Sequence, residues 1–361
     1  MCEPRSRRGE RSDRRWGRPT LKGLIMADGM FRLAIIGAGG IAGAHAGAVK
    51  ASPDRLTISA VVDLNAESAD KLAKDFSAKT FASAAELFAA NKAQRIIDGV
   101  VICTPPSARI PLVELALKHG VPVLSEKPLA HTLADAKKLA SLSRKFKKTP
   151  AFVGFCHRFV PAVHDMLRMT REGKIGSGVR WENAFACDLP GHETKWFSEP
   201  KKSGGGAYLD MGSHSIDLFH FMCGPSKTLG AVFKNKWKGR TETAGTVLVK
   251  SVKASKSSPM KPGVAGSIYA GWAETCRFTL ALVGDKGMFF YDYEKPSELV
   301  FKDLGGKAEV IPCEAHDVRF SRQLVAFADA VQSKAKTPLA TFDDGVAAAA
   351  SFDAAMKLAK K

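Results

Sequence analysis

The sequence lacks the features that would indicate a membrane protein, a disulfide-rich secreted protein or a zinc protein. No run of eighteen apolar residues occurs in its 361 residues, so we predict no membrane-spanning helix. The seven cysteines are odd in number, scattered and without a C-x-x-C pair, which indicates reduced thiols in a cytoplasmic protein. No internal repeat is visible, and the length favours two domains.

Acidic residues are also scarce, because 36 Asp and Glu face 54 Lys and Arg, for a formal net charge of +18. Part of the excess lies in the first 25 residues, which carry eight cations and three anions. No helix-turn-helix, zinc-finger or RNP-like pattern accompanies this charge. We therefore interpret it as a solvated lysine-rich surface, and we predict no nucleic-acid partner and no membrane partner.

Residues 1–29 form a basic tail that is poor in core residues, so we expect it to be disordered. Arg14 and Arg15 precede an apolar stretch from residue 31, which superficially resembles a twin-arginine export signal. We reject that interpretation because cleavage after the apolar stretch would remove a strand and a glycine-rich turn that have a better use. The sequence leaves open whether the chain starts at Met1, Met26 or Met30.

The segment 30–150 alternates short β-branched apolar runs with helical periodicity, which predicts a doubly wound parallel sheet covered by helices on both faces, an α/β architecture. In the segment 151–361 strand-like runs follow one another, which predicts an α+β domain with a large, mostly antiparallel open sheet. Within it we interpret 181–203 as loops, because Gly, Pro and Trp are frequent there. Two helices close the chain, and the apolar stripe of the first one is assigned to the core.

A glycine-rich turn follows the first predicted strand directly and opens the first predicted helix. In Gly37-x-Gly39-x-x-Ala42, the first glycine permits a tight turn and the second lets the backbone approach a pyrophosphate. The small residue at 42 lets the helix pack on the strand, and free N–H groups at the helix start face the anion. The turn could serve packing alone, but its place between strand and helix predicts a dinucleotide site.

The second predicted strand ends in Asp63, whose carboxylate can accept hydrogen bonds from the adenosine ribose hydroxyls and repels a 2′-phosphate. Leu64 and Asn65 follow it, so no arginine stands there to hold such a phosphate. We therefore predict NAD as the cofactor, with NADP less favoured.

Polar residues follow two further strands of the predicted parallel sheet. Thr104-Pro105 comes after the strand at 99–103, and Glu126-Lys127-Pro128 comes after the strand at 121–124. Ligands of open α/β sheets bind at the carboxyl ends of the strands, where both segments are expected. Farther along, Asp210 and His214 are four residues apart, so on one helix they would share a face.

These motifs, taken together, resemble the Gfo/Idh/MocA family of oxidoreductases, named for glucose–fructose oxidoreductase and inositol dehydrogenase. The resemblance covers roughly residues 31 to 225. The matching segments are Gly37-Ala38-Gly39-Gly40-Ile41-Ala42, Thr104-Pro105, Glu126-Lys127-Pro128, FCHRFVP with Arg158-Phe159, and SGGGAYLDMGSHSIDL. The resemblance implies a Rossmann domain, a second domain whose open sheet often forms homodimers or homotetramers, and hydride transfer between a nicotinamide and a sugar or cyclitol.

The resemblance also assigns residues. It carries Lys127, Asp210 and His214 over as the catalytic set. The residues expected to bind the cofactor are Gly37, Ala38, Gly39, Gly40, Ile41, Asp63, Thr104, Pro105, Glu126 and Lys127. Arg158 and Trp196 are candidates for the substrate pocket, no metal ligands are expected, and His157, His192 and His220 are treated as structural.

The chain departs from the family pattern at two places. Arg109 stands where many members have a His shortly after the Thr-Pro pair, and Trp196-Phe197 stands where many have Trp-Arg. We expect that neither departure touches the catalytic set, although the second can change the substrate pocket.

The chemistry of an alcohol oxidation suits these residue types. His214 can take the hydroxyl proton, Asp210 can orient the imidazole or bind a sugar hydroxyl, and Lys127 can donate to the reacting oxygen. Each residue also has a plainer interpretation, as a solvated lysine or a surface pair on a helix. We predict an NAD-dependent sugar or cyclitol dehydrogenase; a redox-assisted glycosidase of the same family and a non-enzymatic dinucleotide and sugar sensor stay open.

Overall fold

The structure, a computed structural model, describes residues 29–255, 258–333 and 335–360. The predicted tail lies outside these residues up to residue 28. Among the described residues no helix has both the length and the apolar character that a membrane crossing requires.

The first part of the chain forms the predicted parallel sheet. Its strands are β1 (Phe31–Ile36), β2 (Leu56–Val62), β3 (Lys79–Phe81), β4 (Gly99–Ile102), β5 (Val123–Ser125) and β6 (Ala151–Val153). The helices between them are α1 (Gly40–Lys50), α2 (Ala66–Lys74), α3 (Ala84–Gln94), α4 (Arg109–Lys118) and α5 (Leu133–Lys145). The strand order β3-β2-β1-β4-β5-β6 places a topological switch point between β1 and β4, where ligands of this fold bind.

Local sequence explains these elements. All four residues of β4 are buried, as expected for a parallel strand with both faces covered. The side chains of Asn65, Ser83 and Thr132 each accept a hydrogen bond from a backbone N–H in the first turn of α2, α3 and α5. These caps satisfy donors that the helix itself leaves unpaired.

The second part of the chain forms the large, mostly antiparallel sheet that was predicted. Its helices are α6 (Pro161–Arg171), α7 (Pro200–Ser203), α8 (Ala207–Asp210) and α9 (Gly212–Cys223). Its strands are β7 (Gly178–Cys187), β8 (Ser226–Lys234), β9 (Ala244–Ser251), β10 (Ala265–Trp272), β11 (Arg277–Gly284), β12 (Gly287–Asp292), β13 (Glu298–Asp303) and β14 (Ala308–Pro312). They lie in the order β14-β13-β12-β11-β7-β10-β9-β8, and the pair of β7 with β10 is parallel.

Strand β7 corrects our interpretation of 181–203 as loops. It lies in the middle of the second sheet and pairs with β10 on one side and β11 on the other. Its sequence, GVRWENAFAC, includes Gly, Glu and Asn, which have little strand propensity, so two neighbouring strands hold it rather than its own composition. Trp181 and Phe185 are buried on the inner face of this sheet.

The chain closes with α10 (Arg319–Gln332), β15 (Ala340–Thr341) and α11 (Phe342–Leu358). Leu324 and Phe327 on α10 are fully buried, as predicted, and the Phe327 ring meets Phe31 of β1 edge to face at 5.6 Å. Strand β15 pairs antiparallel with β6. The first sheet therefore includes β6 and β15, which both lie beyond residue 150.

Candidate active site

The glycine-rich turn has the backbone that its sequence requires. Gly37 has φ of +97°, and a Cβ there would stand 3.1 Å from the backbone of Cys103 and Thr104, so a side chain at this position would be strained. A Cβ at Gly39 or Gly40 would meet no protein atom within 4 Å. Gly39 precedes α1 without any side-chain cap, so the turn offers backbone N–H groups to open space.

Asp63 stands beside this turn at the end of β2. Its Oδ2 accepts a hydrogen bond from the Ala38 N–H at 2.6 Å, and its Oδ1 accepts one from the Asn65 N–H at 2.8 Å. The neighbouring Leu64 is 99% exposed. Asp63 is thus fixed next to Ala38 of the turn, where a carboxylate can meet a ribose.

Thr104 and Pro105 follow β4, one strand away from the glycine-rich turn. Within the described part of the chain, the buried Oγ1 of Thr104 and the buried Oγ of Ser125 have no hydrogen-bond partner. A buried hydroxyl without a partner is costly. Two such hydroxyls at the carboxyl edge, beside an open glycine turn, fit a bound ligand with polar groups such as a dinucleotide.

Glu126 is placed inward rather than toward open space, with 2% exposure. Its Oε1 lies 2.8 Å from Nε2 of the fully buried His45 on α1, and its Oε2 accepts the Lys127 N–H at 3.0 Å. Burial alone would raise the pKa of Glu126, but His45, Lys127 and Arg109 outweigh it and lower the pKa below its ordinary value. The contacts shown thus tie Glu126 to protein groups, and its expected role in cofactor binding stays a prediction.

Lys127 reaches across to the second part of the chain. Its Nζ donates to Asp210 Oδ1 at 2.7 Å and to the Asp210 backbone oxygen at 3.2 Å. Burial opposes the charge on Lys127, but Asp210 and then Glu126 outweigh it, so the pKa of Lys127 is raised above its ordinary value. The structure therefore brings Lys127 and Asp210 together as a charged pair at the sheet edge.

Asp210 and His214 do not share one continuous helix, which corrects that part of the sequence analysis. Asp210 is the last residue of α8, and His214 lies in the first turn of α9. Met211 separates the two helices. Three glycines precede α8, and at Gly206 a Cβ would stand 1.8 Å from the Glu242 backbone oxygen. This close approach of two backbones fixes the start of α8 against Glu242.

His214 sits in a mostly buried environment close to other titratable groups. Its ring centroid is 4.6 Å from that of His157, and its Nδ1 is buried without a partner among the described residues. Burial, followed by the charges of Lys127, His157 and Arg319, lowers the pKa of His214 well below its ordinary value. His214 is therefore a neutral imidazole at neutral pH and can accept a proton.

His157 was treated as structural, and the structure brings it to His214. Its Nδ1 lies 2.9 Å from the hydroxyl oxygen of Tyr293. Ligand atoms of Cys156, His157 and His214 lie within 4.8 Å of one another, which is a spacing that could hold a metal ion. No sequence signal links Cys156 and His157 to His214, because segments distant in the chain come together only in the folded protein. The expectation of no metal ligands stays a prediction.

Arg158 does not have the environment of a substrate-binding residue, contrary to expectation. It is 6% exposed, and its Nε and Nη2 donate to the carboxylate of Asp217, which is itself 2% exposed. Its guanidinium also lies over the Phe221 ring at 5.2 Å. This buried charge pair joins the segment 156–159 to α9, so the guanidinium of Arg158 is already bound by protein groups.

Trp196 lies in the connection between β7 and α7 and is partly exposed. Its ring stacks on Phe197 at 4.0 Å, and the Phe197 ring stacks on His192 at 5.0 Å. Asp210 is one of the charges that act on His192, so this aromatic stack lies near the catalytic candidates. A place for Trp196 in the substrate pocket stays a prediction.

We expected that the departure from the family pattern at Arg109 would not touch the catalytic set. The structure contradicts this expectation, because Arg109 contacts the backbone of Lys127. Arg109 is 3% exposed and donates to the backbone oxygens of Thr104, Glu126, Lys127 and Pro128. The sequence could not indicate these contacts, because the acceptors are backbone atoms that the fold brings together.

Two family matches cover most of the chain. Residues 31–155 match the family described as the Gfo/Idh/MocA oxidoreductase family with an NAD-binding Rossmann fold, and residues 163–290 match the Gfo/Idh/MocA C-terminal domain. The first match contains the glycine-rich turn and Lys127, and the second contains Asp210 and His214.

Individual relatives agree with these matches. The chain is 31% identical over 217 residues to the rhizopine catabolism protein MocA of Rhizobium meliloti, a match to 60% of this chain that spans 63% of that protein's length. It is 26% identical over 338 residues to an inositol 2-dehydrogenase of Rhizobium meliloti, covering 90% of this chain and 96% of the relative. A solved inositol dehydrogenase homolog from Azotobacter vinelandii, complexed with NAD+, has the same fold with a TM-score of 0.82 at 17% identity, covering 92% and 96% of the two chains. The chain therefore belongs to the Gfo/Idh/MocA family of oxidoreductases.

Proposed function

We propose that this protein is an NAD-dependent dehydrogenase that transfers a hydride between nicotinamide and a secondary alcohol or ketone of a sugar or cyclitol. The observation that carries this proposal is the pair of Lys127 Nζ and Asp210 Oδ1 at 2.7 Å, with neutral His214 nearby. The pair lies at the carboxyl ends of the strands of the first sheet, where dinucleotides bind in this fold. The names of the relatives, which include inositol 2-dehydrogenases and a glucose-6-phosphate 3-dehydrogenase, support a polyol substrate.

The residues that would hold NAD are those of the glycine-rich turn, from Gly37 to Ile41, together with Asp63, Thr104 and Pro105. The backbone N–H groups at the start of α1 would take the pyrophosphate, because those of Gly37 and Ala38 already bond to protein oxygens, and Asp63 would take the ribose hydroxyls. When bound, NAD supplies the acceptor for the hydride. The rest of the chemistry falls to the side chains of the protein.

The three catalytic candidates have complementary roles in alcohol oxidation. His214, neutral because it is buried among positive charges, accepts the proton of the hydroxyl group. Lys127 keeps its charge and donates to the same oxygen as negative charge develops there. Asp210 holds Lys127 in place. In the reverse direction Lys127 polarises the carbonyl and His214, once protonated, returns the proton.

The test is NADH formation, followed by absorbance, with a panel of inositols and sugars. The proposal predicts turnover with at least one polyol and none without NAD. Tight NAD binding without absorbance change for any polyol would contradict a dehydrogenase and would support the redox-assisted glycosidase or the non-enzymatic sensor.

Asp63 gives a prediction about the choice of cofactor. In Asp63→Asn the amide oxygen can still accept the Ala38 N–H, but the charge that repels a 2′-phosphate is gone. We expect the ratio of kcat/KM for NAD over NADP to fall by about tenfold or more, which corresponds to about 1.4 kcal/mol. Steady-state kinetics with both cofactors measure the ratio, and Asp54→Asn, at an exposed position, is the control. An unchanged ratio would remove Asp63 from the ribose site.

We also propose that the outer face of the second sheet forms an interface between copies of this chain. One register row on this face contains Leu248, Ala281, Phe290, Val300 and Val310, with the polar Ser267 and Glu182 between Leu248 and Ala281, and we call the five apolar residues the outer band. Leu248 and Val310 are 50% and 57% exposed in the single chain. A mostly apolar row on this sheet face, interrupted by Ser267 and Glu182, fits a self-complementary dimer interface with an apolar and a polar part.

Leu248→Glu tests the outer band. We expect the wild-type protein to be a dimer or tetramer. The variant should form a smaller assembly, because the interface would bury a charge without a partner. Light scattering after size-exclusion chromatography measures the mass. Leu304→Glu, in a turn at 76% exposure, is the control and should leave the mass unchanged. A monomeric wild-type protein would contradict the interface.

A cytoplasmic location is part of the proposal. It is supported by the thiols of the described cysteines, which are all free: Cys103, Cys156, Cys187, Cys223, Cys276 and Cys313. Free thiols of this number are typical of a reducing compartment.

A further inference from the structure

Arg109 has an environment that is unusual for a buried arginine. It is the first residue of α4, where the positive end of the helix dipole disfavours a cation. Buried charges are normally paired with an opposite charge. The hydrogen bonds of Arg109 to described residues all go to backbone carbonyl oxygens instead. Burial lowers the pKa of Arg109 to about 10, so the group stays charged at neutral pH.

The acceptors of Arg109 share one location, the carboxyl ends of β4 and β5. Its Nε donates to the Thr104 oxygen at 3.0 Å, and its Nη2 donates to the Lys127 oxygen at 3.3 Å. Its Nη1 donates to the oxygens of Glu126 and Pro128. A single planar fork therefore ties the end of β4 to three successive carbonyl groups around Lys127.

The other side of the Lys127 backbone is held as well. The Lys127 N–H donates to Glu126 Oε2 at 3.0 Å, and Glu126 Oε1 is paired with His45 at 2.8 Å. Glu126 has little room to move, because a Cβ at Gly154 would stand 2.8 Å from its Oε1. The backbone of Lys127 is thus fixed between the Arg109 fork and the Glu126–His45 pair.

We propose that Arg109 is a positioning residue that sets the place of Lys127 at the sheet edge, so that the Lys127 Nζ meets Asp210 and the reacting oxygen. The inference rests on the proposed function of Lys127. A flexible lysine chain delivers its charge accurately only from a fixed backbone, and a misplacement of about 1 Å can cost about 10²-fold in rate. Four donor contacts from one rigid group supply that fixation.

The test is a double-mutant cycle on kcat, with Arg109→Lys and Lys127→Ala made singly and together. We expect Arg109→Lys to lower kcat about 10- to 100-fold while KM for the polyol and Kd for NADH stay within about threefold. In the Lys127→Ala background the same change should lower kcat by less than about twofold, because its effect passes through Lys127. The control is Arg55→Lys, which alters an arginine paired with Asp329 far from Lys127.

Three results would overturn this role. Equal losses from Arg109→Lys in both backgrounds would show that Arg109 acts on the fold in general, and an unchanged kcat would show that it does not act. A rise in KM or Kd alone would place it in ligand binding. If Arg109→Lys does not fold, Arg109→Gln is used instead, because its amide keeps one donor group on the side chain.

A crystal structure of the Arg109 variant decides the case where residual rates are too low for the cycle. The proposal requires the Lys127 Nζ to be displaced from Asp210 Oδ1, and an unchanged separation near 2.7 Å would contradict it. This readout also separates the two claims: a wild-type protein without turnover contradicts the proposed function, whereas the position of Lys127 in the variant tests Arg109 alone.

Discussion

Lys127→Ala is expected to lower kcat for polyol oxidation by about 10²–10³-fold, the loss typical when one donor to a developing oxyanion is removed. Lys127 is the charged donor at the carboxyl edge of the first sheet, and its pKa is raised by Asp210 and Glu126 although burial opposes the charge. It therefore stays protonated in the whole range of a kinetic assay. Without it, negative charge on the substrate oxygen develops without the donor that Asp210 holds in place.

The same substitution should leave NAD binding nearly intact, because the glycine-rich turn and Asp63 do not depend on the Lys127 side chain. Fluorescence titration with NADH measures the affinity, and stopped-flow absorbance measures the hydride step. Lys118→Ala, which removes an exposed lysine paired with Glu114, is the control. Turnover within a few-fold of the wild type would show that Lys127 has no catalytic role, and loss of NADH binding would make it a cofactor ligand.

His214→Asn is expected to lower kcat/KM for alcohol oxidation by about 10²–10⁴-fold, the range of a positioned acid or base. The imidazole must be neutral to accept the hydroxyl proton. Burial and the charges of Lys127, His157 and Arg319 lower the pKa of His214 well below its ordinary value, so the neutral form persists in mild acid. Asn is smaller than His but keeps a polar amide near the place of Nδ1, and it cannot take up a proton at these pH values.

The pH profile of the wild-type enzyme follows from the same shift. An ordinary imidazole would lose half of its base form near pH 6.5. Because the pKa of His214 is lower, kcat/KM should stay level as the pH falls from 8 through about 6.5 and decline only below that. Initial rates in buffers of constant ionic strength measure the profile, and His119→Asn, an exposed histidine, is the control. A midpoint at or above 6.5 would contradict the assignment of His214 as a neutral base.

Local rules of sequence were sufficient for β1, β2, β4, β5 and β6 of the first sheet and for the edge that carries the site, but not for β3 and β15, which are only three and two residues long. The turn at Gly37 combines a positive φ with a close approach that would strain any other residue, so the residue type itself indicates the turn. Lys127 could be placed because a parallel strand ends just before it. Both predictions depend on residues that are near one another in the chain.

Contacts between distant parts of the chain were not predictable in this way. Strand β7 is held by its neighbours β10 and β11 rather than by its own composition. The approach of His157 to His214, the pair of His45 with Glu126, and the contacts of Arg109 all depend on how the folded chain brings segments together. Arg158 shows the converse error, since its motif suggested a ligand and its surroundings supply Asp217 instead.

The central claim is that the site at Lys127, Asp210 and His214 moves a hydride from an alcohol carbon to NAD. It is tested most directly with an inositol or sugar deuterated at the carbon that is oxidised. The account predicts that mass spectrometry finds deuterium on the nicotinamide ring of the NADH formed. In Lys127→Ala, the amount of labelled NADH should fall in proportion to turnover. Unlabelled NADH from a deuterated substrate, or labelled NADH formed equally well by Lys127→Ala, would contradict it.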